Sequence, residues 1–554
     1  MPLVTSTPMS APTTLDRTLA AGARARLGSE QPYHRLRFAS GEPRLVRAEA
    51  YANVGRTQAP NRRSLLVLVQ LTDLQLADTA SPGRFEFLEY LRGLPGVGAF
   101  SPGQRPQEAL GVHAVEAMAR SIRTCGGSPD TGAPLGLAIC TGDNVDNAQL
   151  NELTWYLTLL AGGRLSPLSE RRLYEGVQRG DWPNDLYWHP DGGHDRWRER
   201  WGFPDYPGLL PEAAEAFDSG GVGVPWLSCF GNHDGLAFGE CLPTAAYRRL
   251  LAEARKPIAL PVGLDPLGRE EELFRYPERF GAGPSRTVTA DAGRTIVSRR
   301  DFVAAHLRAG GEPAGHGYNE RNLKDGTAYA AHDGIEGVRV ILLDSTNLNG
   351  RSDGSFGPRQ LAWLEERLIE VHRQHLSPKD SLTTTRNEDR LVILASHHGL
   401  ASLTNDRESV DGPEDDQPRA TADDMRRLLH RFPNVVLWLN GHRHRNEVEF
   451  RRPPGEGARG GFWEVSTAAM SDWPSQARLV ELAANDDGTL SILCTMLDHA
   501  GEADPRDGEG LARLAAIHRE LAANVPDRGL GSVAEGRRED RNVELVMPAP
   551  FPLR

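Results

Sequence analysis

The chain has 554 residues, with 75 acidic against 63 basic side chains and a formal net charge of -12. That balance disfavours tight non-specific binding to nucleic acid or to anionic membranes, although a local metal site can still attract an anionic substrate. The five cysteines have no C-x-x-C spacing and suggest neither a thiolate zinc site nor a disulfide framework.

Residues 1–60, rich in Pro, Thr, Arg and Ala, are expected to form an extended lead-in with at most one short element, whose "TTLDRTL" packs on the body. The stretch lacks the basic start and apolar block of an export signal, and no apolar run approaches the length of a membrane span. A cytoplasmic protein is expected. From residue 61 strand-like apolar runs recur at 64–71, 135–140, 224–230, 338–343, 391–395 and 435–439, each closed by a polar turn. Helical spacing at 106–123 and 358–375 alternates with them and argues an α/β body spanning 61–500. Three intervals with little regular pattern, 151–223, 235–326 and 400–432, are read as insertions that control access. The segment 501–554 is expected to add a helix over 508–523 and a strand with a Pro-rich tail, "DRNVELVMPAPFPLR", packed on the domain.

Five of these strand ends carry metal-type residues in order: "TDLQ" with Asp73 and Gln75, "TGDNVDN" with Asp143 and Asp146, "FGNHD" with Asn232 and His233, "SHHG" with His397 and His398, and "NGHRHRNE" with His442 and His444. Any one of them alone is a weak signal, because a Gly-Asp pair is usually a turn and a His-His pair usually packing. The ordered set is specific. Gly142, Gly231 and Gly441 precede Asp143, Asn232 and His442, where the chain must turn sharply.

These motifs resemble the calcineurin-like metallophosphoesterase superfamily, with its D-x-H, G-D-x-x-D, G-N-H-D/E, strand-end His and G-H-x-H. The wide spacing, "SPGRFEF" and "DRNVEL" are similar to a group of actinobacterial members. The resemblance implies an α/β fold, a four-layer α/β/β/α sandwich of two mixed β-sheets, and a phosphoesterase that attacks phosphomonoesters or phosphodiesters with a metal-bound hydroxide. It implies two divalent ions, Mn, Fe or Zn, with Mg or Ca also open at the Gln75 side. By position, Asp143 would bridge both ions, Asp73, Gln75 and His444 would hold the first, and Asn232, His397 and His442 the second. His397 is chosen over His398 because alternation sends the neighbour to the other side. His233 would stay free of metal, to donate a proton to the leaving oxygen or to stabilise phosphoryl charge. Asp146 is the expected partner of its ring, with Asp234 a second candidate.

Gln75 departs from the family pattern, which has a histidine there. Three outcomes stay open: its amide oxygen binds the ion, it holds a water bound to the ion, or the first site is empty. Asp78 nearby is read as a solvated loop carboxylate, with compensation for Gln75 from a distance the alternative. Arg84 is a candidate contact for a phosphate oxygen, weighed equally against an exposed structural arginine. The cluster "WHPDGGHDRW", with His189, Asp191, His194 and Asp195, matches no ligand spacing and is read as an insertion loop held by Trp packing. Two other readings remain: an impaired member serving as a binding scaffold, suggested by Gln75, and a nuclease, disfavoured by the acidic charge.

Overall fold

Alternation along the apolar runs decides how they stack. In Leu137–Cys140, Leu137 and Ile139 point into one apolar layer and Ala138 and Cys140 into another, all four buried. Leu391–Ala395 divides in the same way. Side chains leave a strand on alternate sides, so a run that is apolar throughout forms a strand covered on both faces.

The computed structural model describes residues 12–50, 61–91, 104–168, 173–408, 417–455 and 460–553. Its main strands form two mixed sheets. The first has seven strands, in the order Leu45–Arg47, Val543–Pro548, Thr489–Asp498, Gln476–Asn485, Arg62–Leu71, Leu137–Cys140 and Trp226–Ser228. The second has six, in the order Ala330–Ile335, Val338–Leu342, Leu391–Ala395, Val435–Asn440, Phe462–Ser466 and Glu447–Arg451. Between them Leu66, Leu68 and Ile139 of the first sheet share one buried layer with Val340, Ile393 and Leu439 of the second.

Helices Gly111–Thr124, Leu150–Ala161 and Arg299–Arg308 cover the outer face of the first sheet. Helices Pro358–Ile369 and Ala422–Leu429 cover the second. The fold is thus α/β, a four-layer α/β/β/α sandwich. Within it Arg62–Leu71, Leu137–Cys140 and Trp226–Ser228 run parallel, as do Val338–Leu342, Leu391–Ala395 and Val435–Asn440. Parallel strands end on one edge, which gathers their loops.

The N-terminal region holds more regular structure than an extended lead-in. Arg17–Leu27 pairs antiparallel with Pro32–Ser40, and Leu45–Arg47 joins the edge of the seven-stranded sheet. Alternating Ala and Arg in "RTLAAGARARL" give little apolar signal, and the hairpin is held by what it touches: Tyr33 donates to Glu520 at 3.0 Å, and Leu36 packs on Ala522 and Ala523. Residues 501–554 are built into the body. Helix Gly510–Ala523 packs on Gly111–Thr124, while Val543–Pro548 is an inner strand of the first sheet.

The interval 151–223 opens with a continuous helix, and its Trp188 and Trp197 are buried with Tyr33 and Ile517. In "WHPDGGHDRW" Asp195 caps the helix Arg196–Trp201 and pairs with Arg198, and His189 Nδ1 lies 3.2 Å from the Gln178 carbonyl. Parts of the lead-in (1–11, 51–60) and of the insertions (169–172, 409–416) lie outside the described residues. No helix among the described residues is long and apolar enough to cross a membrane.

Ile393 is fully buried between the sheets. Ile393→Ala should therefore destabilise the chain by roughly 2–5 kcal/mol in denaturant unfolding, the range for emptying a packed core position. A loss below about 0.5 kcal/mol would mean that the layer between the sheets is not close-packed.

Candidate metal centre

The loops after the first two parallel strands stay paired beyond the strand ends. Thr141 N donates to the Leu71 carbonyl at 2.9 Å, Asp73 N to Gly142 at 3.1 Å and Gln75 N to Asp143 at 2.9 Å. This pairing sets Asp73 beside Asp143, both buried. Asp73, Gln75, Asp143, His442 and His444 all adopt left-handed backbone, with φ of 51°, 42°, 52°, 67° and 49°. Residues with a Cβ seldom do so, at a cost of about 1–3 kcal/mol each, and such strain clusters where geometry serves function. Two glycines make the close approach possible: a Cβ on Gly231 would lie 2.2 Å from Asp143 Oδ1, and one on Gly441 1.9 Å from Thr72 Oγ1.

From the second sheet, His397 brings Nε2 to 3.1 Å from Asp143 Oδ2 and 3.9 Å from Asp73 Oδ1. Its Nδ1 faces the Thr141 carbonyl at 2.9 Å, which fixes the ring. His444 Nε2 lies 3.2 Å from Asp73 Oδ1, and His442 N donates to Asp73 Oδ2 at 3.0 Å. Asn232 donates through Nδ2 to the Gly239 carbonyl at 3.0 Å, which leaves its oxygen turned away from that bond. The adjacent His233 N donates to Asp143 Oδ1 at 2.9 Å. His398 also approaches His397 and His442, but its Nδ1 meets Ser345 Oγ at 2.8 Å and its Nε2 the Ser352 carbonyl at 2.7 Å. Both of its nitrogens are engaged.

The donor set fits a divalent ion. Asn232 Oδ1 is buried without a hydrogen-bond partner among the described residues, while Asp73 Oδ1 and His397 Nε2 are buried against His444 and Asp143. Ligand atoms of Asp73, Asp143 and His397 lie within 4.8 Å of one another, and carboxylate, amide and imidazole donors suit Mn, Fe or Zn. The electrostatics agree. Burial would raise the Asp143 carboxyl, but His397 and His233 outweigh it and hold the group far below the usual carboxylate range. Burial would lower His397, but Asp143 and Asp73 raise it to about 9. His444 is likewise raised to about 9 against its burial, by Asp73 and Asp472. The two buried carboxylates thus demand positive charge, which protons satisfy and a metal ion would displace.

The remaining candidates are placed as follows. His233 Nδ1 lies 2.6 Å from the main-chain carbonyl of Asp146, and its Nε2 lies 4.0 Å from Asp143 Oδ2. Asp146 therefore meets the ring through its backbone, while its carboxylate lies 3.1 Å from Arg84 Nε. Arg84 is buried rather than exposed, and it also pairs with Glu108 at 2.9 Å. Asp234 is turned away from His233: its carboxylate accepts from Gly231 N at 2.8 Å, Asn144 N at 3.0 Å and Val145 N at 3.2 Å, tying two motif loops together. Asp78 is fully buried against Arg294 at 2.9 Å, not a solvated loop carboxylate.

Gln75 lies in the centre, but its Oε1 accepts from Arg105 Nη2 at 2.6 Å and from Ser471 Oγ at 3.1 Å. Its Nε2 is the atom turned to Asp143 Oδ2, at 3.4 Å. Arg105 and Asp472 escape a reading of the sequence. Asp472 Oδ1 accepts from Arg105 Nε at 2.8 Å, and its Oδ2 lies 2.7 Å from His444 Nδ1, so it orients the ring toward Asp73. The one available signal was the strand end after Phe462–Ser466. His442 Nε2 also lies 3.4 Å from Asp353, another residue without a motif. The centre opens into a cavity of about 520 Å³ lined by His233, Arg105 and Arg84, with Phe85, Phe238 and Leu273 as an apolar wall and Arg528 and Val533 from the C-terminal segment.

No family model matches the chain, and no curated protein matches it. Among solved structures it is similar to a dimetal phosphatase from Danio rerio, at 10% identity over 79% of this chain and 100% of that one, with a TM-score of 0.35. A purple acid phosphatase from yellow lupin seeds is 11% identical over 89% of this chain and 65% of that one, with a TM-score of 0.28. A putative 5'-nucleotidase from Staphylococcus aureus is 11% identical over 82% and 58% of the two chains, also with a TM-score of 0.28.

Because each buried donor left unsatisfied costs about 1–3 kcal/mol, Asp234→Ala should destabilise the chain by at least about 3 kcal/mol in denaturant unfolding. A loss under about 1 kcal/mol would show that the motif loops hold together without it.

Proposed function

We propose that the chain is a metal-dependent hydrolase of phosphoric esters, with a divalent ion held by Asp143, Asn232, His397 and His442 and with Asp73 and His444 beside it. One observation carries the reading: side chains from five separate strand ends meet at two buried carboxylates, beside a cavity that His233, His442 and His444 of the same centre line. When bound, the ion supplies Lewis-acid polarisation of the ester and a water acidified enough to act as nucleophile at neutral pH.

The chain's own residues do the rest. His233 has its Nδ1 proton fixed on the Asp146 carbonyl, so Nε2 is the ring atom that carries a proton to the leaving oxygen. The apolar wall of Phe85, Phe238 and Leu273 excludes water from one side of the ester, where charged contacts then act more strongly. A cavity of about 520 Å³ is of a size for a small phosphomonoester or phosphodiester.

With Mn added, the chain should turn over simple aryl phosphomonoesters or diesters, and chelation should stop it. His233→Asn should lower turnover by about 10²–10⁴-fold while the bound metal stays unchanged. Full activity in that variant would remove His233 from proton transfer, and metal binding without turnover on the whole panel would favour a binding scaffold.

A further inference from the structure

Gln75 stands where the resemblance calls for an imidazole, and its surroundings decide what it can do. An amide oxygen has two lone pairs, and here Arg105 Nη2 at 2.6 Å and Ser471 Oγ at 3.1 Å take both. The orientation is not arbitrary. Rotating the amide would set its NH₂ against the guanidinium, donor on donor, so Arg105 itself determines which atom faces the centre. That atom is Nε2, which can only donate and does so toward Asp143 Oδ2 at 3.4 Å.

The guanidinium is also held in place. It is buried, its Nε donates to Asp472 Oδ1 at 2.8 Å, and the other oxygen of Asp472 holds His444 at 2.7 Å. An arginine does not lose its proton in a protein, so this is a permanent positive charge beside Gln75, at the wall of the cavity. On the opposite side of the centre Asn232 Oδ1 is buried without a hydrogen-bond partner among the described residues, and His397 Nε2 faces Asp143 Oδ2 at 3.1 Å.

Building on the metal-dependent reading above, we propose that the centre binds one divalent ion tightly, on the side of Asn232 and His397. The guanidinium of Arg105 takes the place of a second ion and faces the phosphoryl oxygens. Asp472 positions it, and Gln75 is the acceptor that an arginine requires there and a histidine Nε2 ligand would not be.

The test is metal stoichiometry on the full chain, stripped and reloaded with Mn, by elemental analysis and by electron paramagnetic resonance. Wild type should hold one equivalent, with the hyperfine pattern of an isolated ion. The double variant Gln75→His with Arg105→Ala should hold two, with the broadened spectrum of an exchange-coupled pair. Arg105→Ala alone should keep one equivalent and lose at least about 100-fold in turnover, the scale for removing a preorganised charge contact. Two equivalents with a coupled spectrum in wild type would overturn the proposal, and this measurement needs no variant to fold. A folded double variant that still holds one equivalent would overturn the roles given to Gln75 and Arg105. Failure to bind any metal would instead overturn the hydrolase reading, and this inference with it.

Discussion

Two carboxylates buried side by side, Asp73 and Asp143, set the terms for everything around them. Unpaired, such charges would cost far more than a domain's net stability. They are accommodated because positive or donating groups converge on them: His397 and His444 side chains, the backbone N–H groups of His233 and His442, and, through Gln75 and Asp472, the guanidinium of Arg105. The same arrangement that makes the carboxylates tolerable makes the centre a cation site.

The fold supplies the rigidity that this requires. Two sheets press Ile139, Ile393 and their neighbours into one layer, and the parallel strands deliver their C-terminal ends to a common edge. Past that edge the loops keep hydrogen bonding to one another, and Asp234 ties the second motif loop to the third. Left-handed backbone at five centre residues is sustained by this pairing.

How far the sequence could be read follows from where each signal lies. Strands 64–71, 391–395 and 435–439 were legible because burial on both faces leaves a continuous apolar run, and each ends on a ligand-type residue. Gln476–Asn485 and Thr489–Asp498 were not, because Arg478 and Glu481 interrupt the apolar pattern of the first and Ser491 and Thr495 that of the second. In the fold Arg478 is buried, with hydrogen bonds to Thr467 and Asn446 that no local pattern announces. Arg105 and Asp472 stayed hidden for the same reason. They lie more than 360 residues apart in the chain and acquire meaning only by meeting. Gln75 was visible as a departure, but the direction of its amide depends on that meeting too.

The most direct test of the account is a crystal structure of the chain soaked with Mn and phosphate, read by anomalous scattering. The account predicts a metal peak within about 2.0–2.6 Å of donor atoms of Asp143, Asn232, His397 and His442, with phosphate between it and Arg105. Metal bound only elsewhere, with the buried carboxylates still facing protonated histidines, would contradict it.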